Sequence, residues 1–171
     1  GFLYGGYVIQ NNTDMTLRDS VGYVTFYDAE GNVTSISSET IDFIYPNQSL
    51  GVAPWVFAAP EGAVTSDYDL VILPGEPEED FEINQNIFTV QSTELIEDFG
   101  ARVFVEFTND YTRKVSDLDI NVLLFDASGS IVGSGSTWYS DPIAPGASAK
   151  AEVWASYDES RTVKSISVWI M

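Results

Sequence analysis

The chain has 171 residues, 26 of them acidic and only 7 basic, which gives a net charge of −19. It contains neither cysteine nor histidine, which excludes disulfides, thiolate zinc sites and histidine-based catalysis. The negative charge repels phosphate groups and anionic lipid surfaces, so we expect no nucleic-acid partner. Since no apolar run is long enough for a transmembrane helix, we also expect no direct membrane insertion within this chain.

The first predicted hairpin turn lies in the sequence FYDAEGNV, which starts at Phe26. The carboxylate of Asp28 can accept hydrogen bonds from the backbone amides just ahead of it, and Gly31 can adopt the positive φ that closes such a turn. A calcium-binding loop would need more acidic ligands than this stretch offers. We therefore interpret the aspartate and the glycine as parts of a structural turn.

The same turn returns 98 residues later in the sequence FDASGSIV, from Phe125. The correspondence extends outward at an offset of 98 residues and, beyond the turn, of 99 residues. Pairs related in this way include Asn11 and Asn109, Asp19 and Asp117, Pro46 and Pro145, and Trp55 and Trp154. Because hydrophobic positions keep step across the whole repeat, the sequence predicts a tandem duplication of one module.

The two predicted modules are separated by the acidic, proline-containing stretch LPGEPEEDFE. Stiff proline positions and repulsion between like charges are typical of an extended linker. The predicted organisation is module 1 over residues 1–75, a linker over residues 76–84 and module 2 over residues 85–171. The linker carboxylates could also gather a divalent cation, but a solvated linker needs no ligand to explain it.

Hydrophobic and polar residues alternate along both modules, which is the pattern of strands with one buried face. In module 2 the alternation covers residues 101–107, 118–124 and 166–170, whereas helical spacing is weak everywhere. Short strands separated by turns are typical of a small antiparallel sandwich. We predict an all-β fold of two tandem immunoglobulin-like β-sandwich modules, each with its own core.

Module 2 opens with the predicted strand NIFTV, residues 86–90, for which the chain offers no equivalent in module 1. A sandwich without its opening strand has an unpaired edge, and such edges can pair with other chains. We therefore expect a bare edge in module 1 or the pairing of this edge with another copy.

Four aromatic residues of module 2 are candidates for a ligand surface, because flat rings on a polar face can stack on sugars or anchor a protein partner. Trp154 and Trp169 alternate with apolar residues, which predicts that both indoles lie on the solvent side of the sandwich. Trp138 and Tyr139 follow each other in a serine-rich segment. Packing at the junction between modules or at a sandwich edge is the alternative interpretation of these rings, and it needs no ligand.

No catalytic residues are predicted. Carboxylate pairs such as Asp117 and Asp119 arise without function among 26 acidic residues, and a spacing of two places them on an exposed strand face. The lysines lie in polar contexts, where the desolvation that activates a serine–lysine pair is not expected. We therefore expect no enzyme activity, no cofactor and no metal site.

Two strand-and-turn motifs stand out, VTFYD at residues 24–28 and VLLFD at residues 122–126. Each follows a turn with asparagine, NNTD or TNDYT, and each precedes a turn with proline, YPNQS or APGAS. In these motifs the chain resembles the FxLYD domain family, over most of both modules. The resemblance implies an immunoglobulin-like sandwich in a bacterial or archaeal cell-envelope protein, without assigned catalytic residues.

The expected function is a non-enzymatic, extracytoplasmic interaction, adhesion or spacer module of a cell-envelope or secreted protein. Its partner would be an unidentified protein or glycan. The alternative is a carbohydrate-binding module that uses the surface tryptophans.

Overall fold

The computed structural model describes residues 5–53, 68–78, 87–97 and 100–171. The chain is all-β in these ranges and forms several antiparallel sheets, as predicted. No helix long and apolar enough to cross a membrane occurs in this described part. The strands are β1 (Tyr7–Gln10), β2 (Thr16–Tyr27), β3 (Val33–Ile44), β4 (Ser49–Val52), β5 (Tyr68–Leu73), β6 (Glu76–Glu78), β7 (Phe88–Glu97), β8 (Ala101–Asn109), β9 (Leu118–Phe125), β10 (Ile131–Tyr139), β11 (Ser148–Tyr157) and β12 (Ser165–Ile170).

The chain divides into two compact units that do not follow chain order throughout. The described part of unit 1 comprises residues 10–49 and 68–78, and that of unit 2 comprises residues 5–9, 50–53, 87–97 and 100–171. Two short segments of predicted module 1 thus belong to unit 2. The predicted linker begins with Glu76–Glu78, which forms β6, and its remaining residues, 79–84, lie outside the described ranges.

Unit 2 is built on one six-stranded antiparallel sheet with the strand order β12-β9-β10-β11-β8-β7. The sheet is strongly curved. Its two end strands, β7 and β12, approach each other, and β9 approaches β11. Side chains at alternate positions fill the space inside, as the sequence predicted for residues 101–107 and 118–124. Ring contacts join Phe107 to Phe88 and to Tyr139, with centroid distances of 5.9 and 5.8 Å. The most deeply buried members of this core are Val103, Val105, Phe107, Ile120, Val122, Leu124 and Val153.

A two-stranded ribbon, formed by residues 5–9 and 50–53, lies on the outer face of β9, β10 and β12 within unit 2. Its strands β1 and β4 pair with each other. The backbone amide of Ala53 donates to Oδ1 of Asn121 at 3.0 Å, and the Ser134 hydroxyl donates to the carbonyl of Gly5 at 2.7 Å. The ribbon thus covers the part of the outer face that β9, β10 and β12 form, whereas the outer face of β7, β8 and β11 lies outside this contact.

Unit 1 contains a sheet with β2 at its centre, in the order β3-β2-β5, and β6 pairs with the beginning of β2. Val24 and Phe26 of β2 are buried, as are Ile41 and Ile44 of β3. Among the described strands, β1 pairs only with β4. In unit 2 the opening strand β7 pairs with β8, which is the repeat counterpart of β1. No described strand pairs with β1 in the way that β7 pairs with β8.

Buried asparagines organise corresponding turns in the two units. Nδ2 of Asn11 donates to the carbonyl oxygens of Met15 and Ile44 at 2.8 and 3.0 Å. Nδ2 of Asn109 donates to the carbonyl oxygens of Arg113 and Ile143 at 2.9 and 3.0 Å. These three residues are the repeat counterparts of Asn11, Met15 and Ile44, at offsets of 98, 98 and 99 residues. Each Oδ1 accepts from the amide two residues ahead, at 3.0 and 2.9 Å.

The two hairpin turns predicted from the aspartate and glycine positions are also present in matching form. Oδ1 of Asp28 accepts the amides of residues 30 and 32, and Oδ1 of Asp126 accepts those of residues 128 and 130. Gly31 and Gly129 adopt φ values of 82° and 80°, which side chains with a Cβ rarely adopt. The structural interpretation of these turns is confirmed.

Candidate functional site

The outer face of β7, β8 and β11 carries aromatic and charged side chains in neighbouring rows. Residues paired across antiparallel strands share a face. Trp154 of β11 pairs with Arg102 of β8, and Arg102 pairs with Ile96 of β7. The next row along the sheet has Phe104 between two glutamates. We call this surface the β8–β11 face, and its members are Glu94, Ile96, Arg102, Phe104, Glu106, Lys150, Glu152 and Trp154.

Both rings of the β8–β11 face have a cation above them. The Arg102 guanidinium carbon lies 5.6 Å from the ring centroid of Trp154 and 5.9 Å from that of Phe104. Nζ of Lys150 lies 4.7 Å from the Phe104 centroid. Nη1 of Arg102 also lies 3.6 Å from Oε1 of Glu152. Attraction between cations and ring faces orients these side chains, although Trp154 remains 60% exposed.

The chemistry of the β8–β11 face suits binding. An exposed indole offers apolar area, and the surrounding carboxylates and cations can exchange hydrogen bonds with hydroxyl or peptide groups. All of these groups lie on regular strands, which hold their spacing rigidly. The face could therefore contact a sugar ring or the side chains of a protein partner.

The structure separates the four aromatic residues that the sequence put forward. Trp154 lies on the exposed face of β11, as the alternation predicted. Trp138 is also 60% exposed, but it pairs with Asp119 of β9 on the other half of the sheet. Tyr139 points inward, where its ring meets Phe107. These residues therefore do not form one continuous surface.

The sequence placed Trp169 on the side of the sheet away from the core, and the structure agrees, although the ribbon partly covers the indole. Trp169 pairs with Asn121 and lies on the outer face of the sheet, but it is only partly exposed. The ribbon passes over it so closely that a Cβ on Gly51 would lie 2.3 Å from Cζ3 of the indole. A Cβ on Gly6 would likewise lie 2.3 Å from Cδ2 of Leu123 on the same face. Strand alternation shows which side chains share a face of the sheet, but it does not show whether another segment covers that face. The ribbon over Trp169 was therefore not predictable from the alternation.

Sequence reasoning missed Arg102, Phe104 and Lys150 as members of the candidate site. All three occupy the polar positions of alternating strands, which is the signal that places them outward with Trp154. What the sequence lacked was the register of β8 against β11, which brings residues 102 and 154 side by side. That register depends on pairing between segments about 50 residues apart, and local patterns do not determine it.

The strongest electrostatic feature of unit 2 lies at its turns. The Ser128 hydroxyl donates to Asp126 at 2.6 Å, and together with the amides of Ser130 and Ser128 and the guanidinium of Arg161 it lowers the pKa of Asp126 to about 2. Bonds from Ser160 likewise lower the pKa of Asp158, and bonds from Asn32 lower that of Asp28. In each of these three turns, hydrogen bonds from neighbouring residues stabilise the ionised form of the carboxylate. In the described ranges no three acidic side chains are grouped so that they could hold a metal ion.

No protein-family model matches the chain. No curated protein is significantly similar to it in sequence.

Proposed function

We propose that this chain is a non-enzymatic interaction module of a cell-envelope or secreted protein, and that it binds a partner through the β8–β11 face. The observation that carries this proposal is the exposed indole of Trp154, held beside Arg102 and Phe104 on a regular sheet. Exposed aromatic and arginine side chains are the residue types that most often dominate binding energy at interfaces. Strand positions also keep such a surface rigid before binding.

The proposed architecture is a tandem pair of immunoglobulin-like sandwiches that arose by duplication. The matching bonds of Asn11 and Asn109, and of Asp28 and Asp126, support this origin. The resemblance to FxLYD domains supports the same architecture and a location outside the cytoplasm. The high negative charge is compatible with a soluble spacer that avoids nucleic acid and anionic lipid.

A photo-cross-linking experiment tests the interaction proposal. A benzophenone amino acid replaces Phe104 in the full chain, and a matched variant carries it at Val33, which is 56% exposed in unit 1. On cells or their secreted fraction we expect a cross-linked product from position 104 only. The product should disappear when Trp154→Ala is added, because the central ring of the face is lost. Equal products from both positions, or none from position 104, would contradict the proposal.

Carbohydrate binding is the second candidate, and the exposed flat ring of Trp154 favours it. A glycan array probed with the full chain, Trp154→Ala and Trp138→Ala separates the two tryptophans. We expect any glycan signal to fall with Trp154→Ala and to persist with Trp138→Ala, since Trp154 lies among the cations and carboxylates of the β8–β11 face, whereas Trp138 pairs with Asp119 on the other half of the sheet. An array without signal would remove this candidate and leave a protein partner.

A further inference from the structure

Strand β5 exposes apolar side chains on both faces of the sheet of unit 1. Tyr68, Val71 and Leu73 are each 51% exposed, and Leu70 is 38% exposed. Among the described strands β5 pairs only with β2, along residues 68–73, so its other backbone edge has no described partner. This strand combines an open edge with exposed apolar side chains on either side.

The corresponding strand of unit 2 is covered where β5 is open. The offset between the two repeats returns to 98 residues near their ends, where Leu70 meets Val168 and Ile72 meets Ile170. At this offset Tyr68 corresponds to Ile166, and Val71 corresponds to Trp169. Ile166 packs against the core of unit 2, and Trp169 lies under Gly51 of the ribbon. The apolar side chains that pack in β12 thus have counterparts in β5 that no strand in the described ranges covers.

β5 also lacks the features that keep edge strands from pairing with other chains. Natural edges are protected by lysines, prolines, inward-pointing charges or bulges. Within Tyr68–Leu73 the only charge is Asp69, whose Oδ2 accepts a bond from the Tyr27 hydroxyl at 2.7 Å. The edge strand β7 of unit 2, by contrast, carries Glu94 and Glu97 and has a register shift between residues 90 and 92.

We propose that β5 pairs with β5 of a second copy of the chain, in an antiparallel arrangement about a two-fold axis. The axis is perpendicular to the sheet, so the residue on it faces its own counterpart. An axis at Leu70 places Asp69 opposite Val71 of the second copy, and an axis at Val71 places it opposite Leu73. In both registers the one charge of the strand avoids its like-charged counterpart, which would destabilise the pair.

The resulting dimer has one continuous sheet through both copies, in the order β3-β2-β5-β5-β2-β3. The backbone edge of β5 gains hydrogen-bond partners, and the exposed side chains on either face gain apolar neighbours from the second copy. This pairing uses unit 1 and does not depend on the β8–β11 face. A test of this pairing therefore gives no evidence for or against the proposed function, and the two can fail independently.

Sedimentation equilibrium of the full chain over a series of concentrations tests the pairing. We expect a monomer–dimer equilibrium whose dissociation constant rises about tenfold or more in Leu70→Lys when the axis lies at Leu70, and in Val71→Lys when it lies at Val71, because the two substituted lysines then face each other on the axis. The controls are Val33→Lys on β3 and Val90→Lys on β7, which should leave the constant unchanged. Circular dichroism shows whether each variant is folded. A chain that stays monomeric, or a dimer that both Leu70→Lys and Val71→Lys leave intact, would overturn the proposal.

Cysteine cross-linking provides a second test that does not depend on the lysine variant. The chain has no cysteine, so each single substitution introduces the only thiol. Under mild oxidation Leu70→Cys or Val71→Cys should form a disulfide-linked dimer rapidly, because the residue at the axis meets its own counterpart. Val33→Cys and Val90→Cys should form dimers at least about tenfold more slowly. Equal rates at all four positions would exclude β5 as the interface.

Discussion

The side chain of Asn109 joins three turn segments of unit 2 at a fully buried position. Its Nδ2 donates to the carbonyl oxygens of Arg113 and Ile143, and its Oδ1 accepts the amide of Tyr111. We expect Asn109→Ala to lower the free energy of unfolding by about 3 kcal/mol, because the substitution leaves buried carbonyl and amide groups without partners. Urea denaturation followed by circular dichroism measures this loss.

The matched control for this substitution is Asn32→Ala, at an exposed asparagine in a turn of unit 1. Water can replace the bonds of an exposed amide, so the control should cost about 0.5 kcal/mol or less. Similar losses for both variants would show that burial of Asn109 does not determine its contribution.

Asp126 makes the stability of the chain depend on pH in the acid range. Its pKa is lowered to about 2 in the folded chain, first by the Ser128 hydroxyl and then by backbone amides and Arg161. A carboxylate with a lowered folded pKa contributes stability above its unfolded pKa, and this contribution is lost as the pH falls through the folded value. The contribution of Asp126 is therefore complete above about pH 4 and disappears towards about pH 2.

Thermal unfolding at a series of pH values tests the role of Asp126. In Asp126→Asn the amide oxygen still accepts the turn bonds, but the side chain no longer titrates. The melting temperature of this variant should fall less steeply than that of the native chain between about pH 4 and 2. The control Asp141→Asn, at an exposed aspartate, should keep the native slope. Parallel curves for Asp126→Asn and the native chain would contradict the prediction.

At the residue scale the sequence predicted the hairpin turns because their chemistry is local. An aspartate followed by a glycine three residues later defines both the acceptor and the positive φ within five residues. The network of Asn109 was not predicted, although its repeat partner Asn11 was recognised. Its acceptor Ile143 lies 34 residues away, and only the folded chain brings the two together.

At the scale of elements, the approach of the ribbon to Trp169 depends on the absence of a side chain at Gly51. We expect Gly51→Ala to push the indole aside and to cost about 1–3 kcal/mol, because the ring and the ribbon backbone cannot both keep their places. Denaturation measurements give the cost, and tryptophan fluorescence reports the displacement of the ring.

Gly5→Ala is the matched control in the same ribbon, since a Cβ there would meet no atom within 4 Å. The stability and fluorescence of this variant should remain close to those of the native chain. A Gly51→Ala variant that behaves like Gly5→Ala would mean that the ribbon does not press on the indole.

The strands of unit 2 were predictable because their alternation reflects one buried and one exposed face. Residues 101–107 follow this pattern throughout β8. The pattern fails in β9, where Asn121 and Leu123 are buried along with the core residues between them. The ribbon buries this second face, and alternation alone cannot distinguish solvent from a covering strand.

At the scale of the whole molecule, residues 85–171 contain the complete core of unit 2 but not the ribbon. We expect this fragment to unfold cooperatively when it is expressed alone. It should be less stable than unit 2 in the full chain, because Leu123 loses its cover. Calorimetry measures both properties, and a fragment without a cooperative transition would contradict the independent core.

Leu123→Ala separates the effect of the ribbon from that of the core. In the full chain the substitution should cost about 2–4 kcal/mol, since Leu123 is fully buried there. In the fragment the same side chain has no ribbon above it, so the cost should be about 1 kcal/mol or less. Equal costs in both contexts would mean that the ribbon does not bury this residue.

The candidate site was predictable only in part for the same reason. Trp154 was placed outward correctly, because the two residues beside it fill the core. Its grouping with Arg102, and its separation from Trp138, result from the strand order of the sheet. Strand order is a property of the assembled unit, and a single strand does not encode it.

The position of the ribbon in unit 2 has a consequence for the order of events during protein synthesis. The bond between Ser134 and Gly5 spans 129 residues, so its donor leaves the ribosome long after its acceptor. At translation rates of about 5–20 residues per second, Ser134 is synthesised on the order of ten seconds after Gly5. During this interval residues 5–9 and 50–53 lack the strands on which they lie in the folded chain.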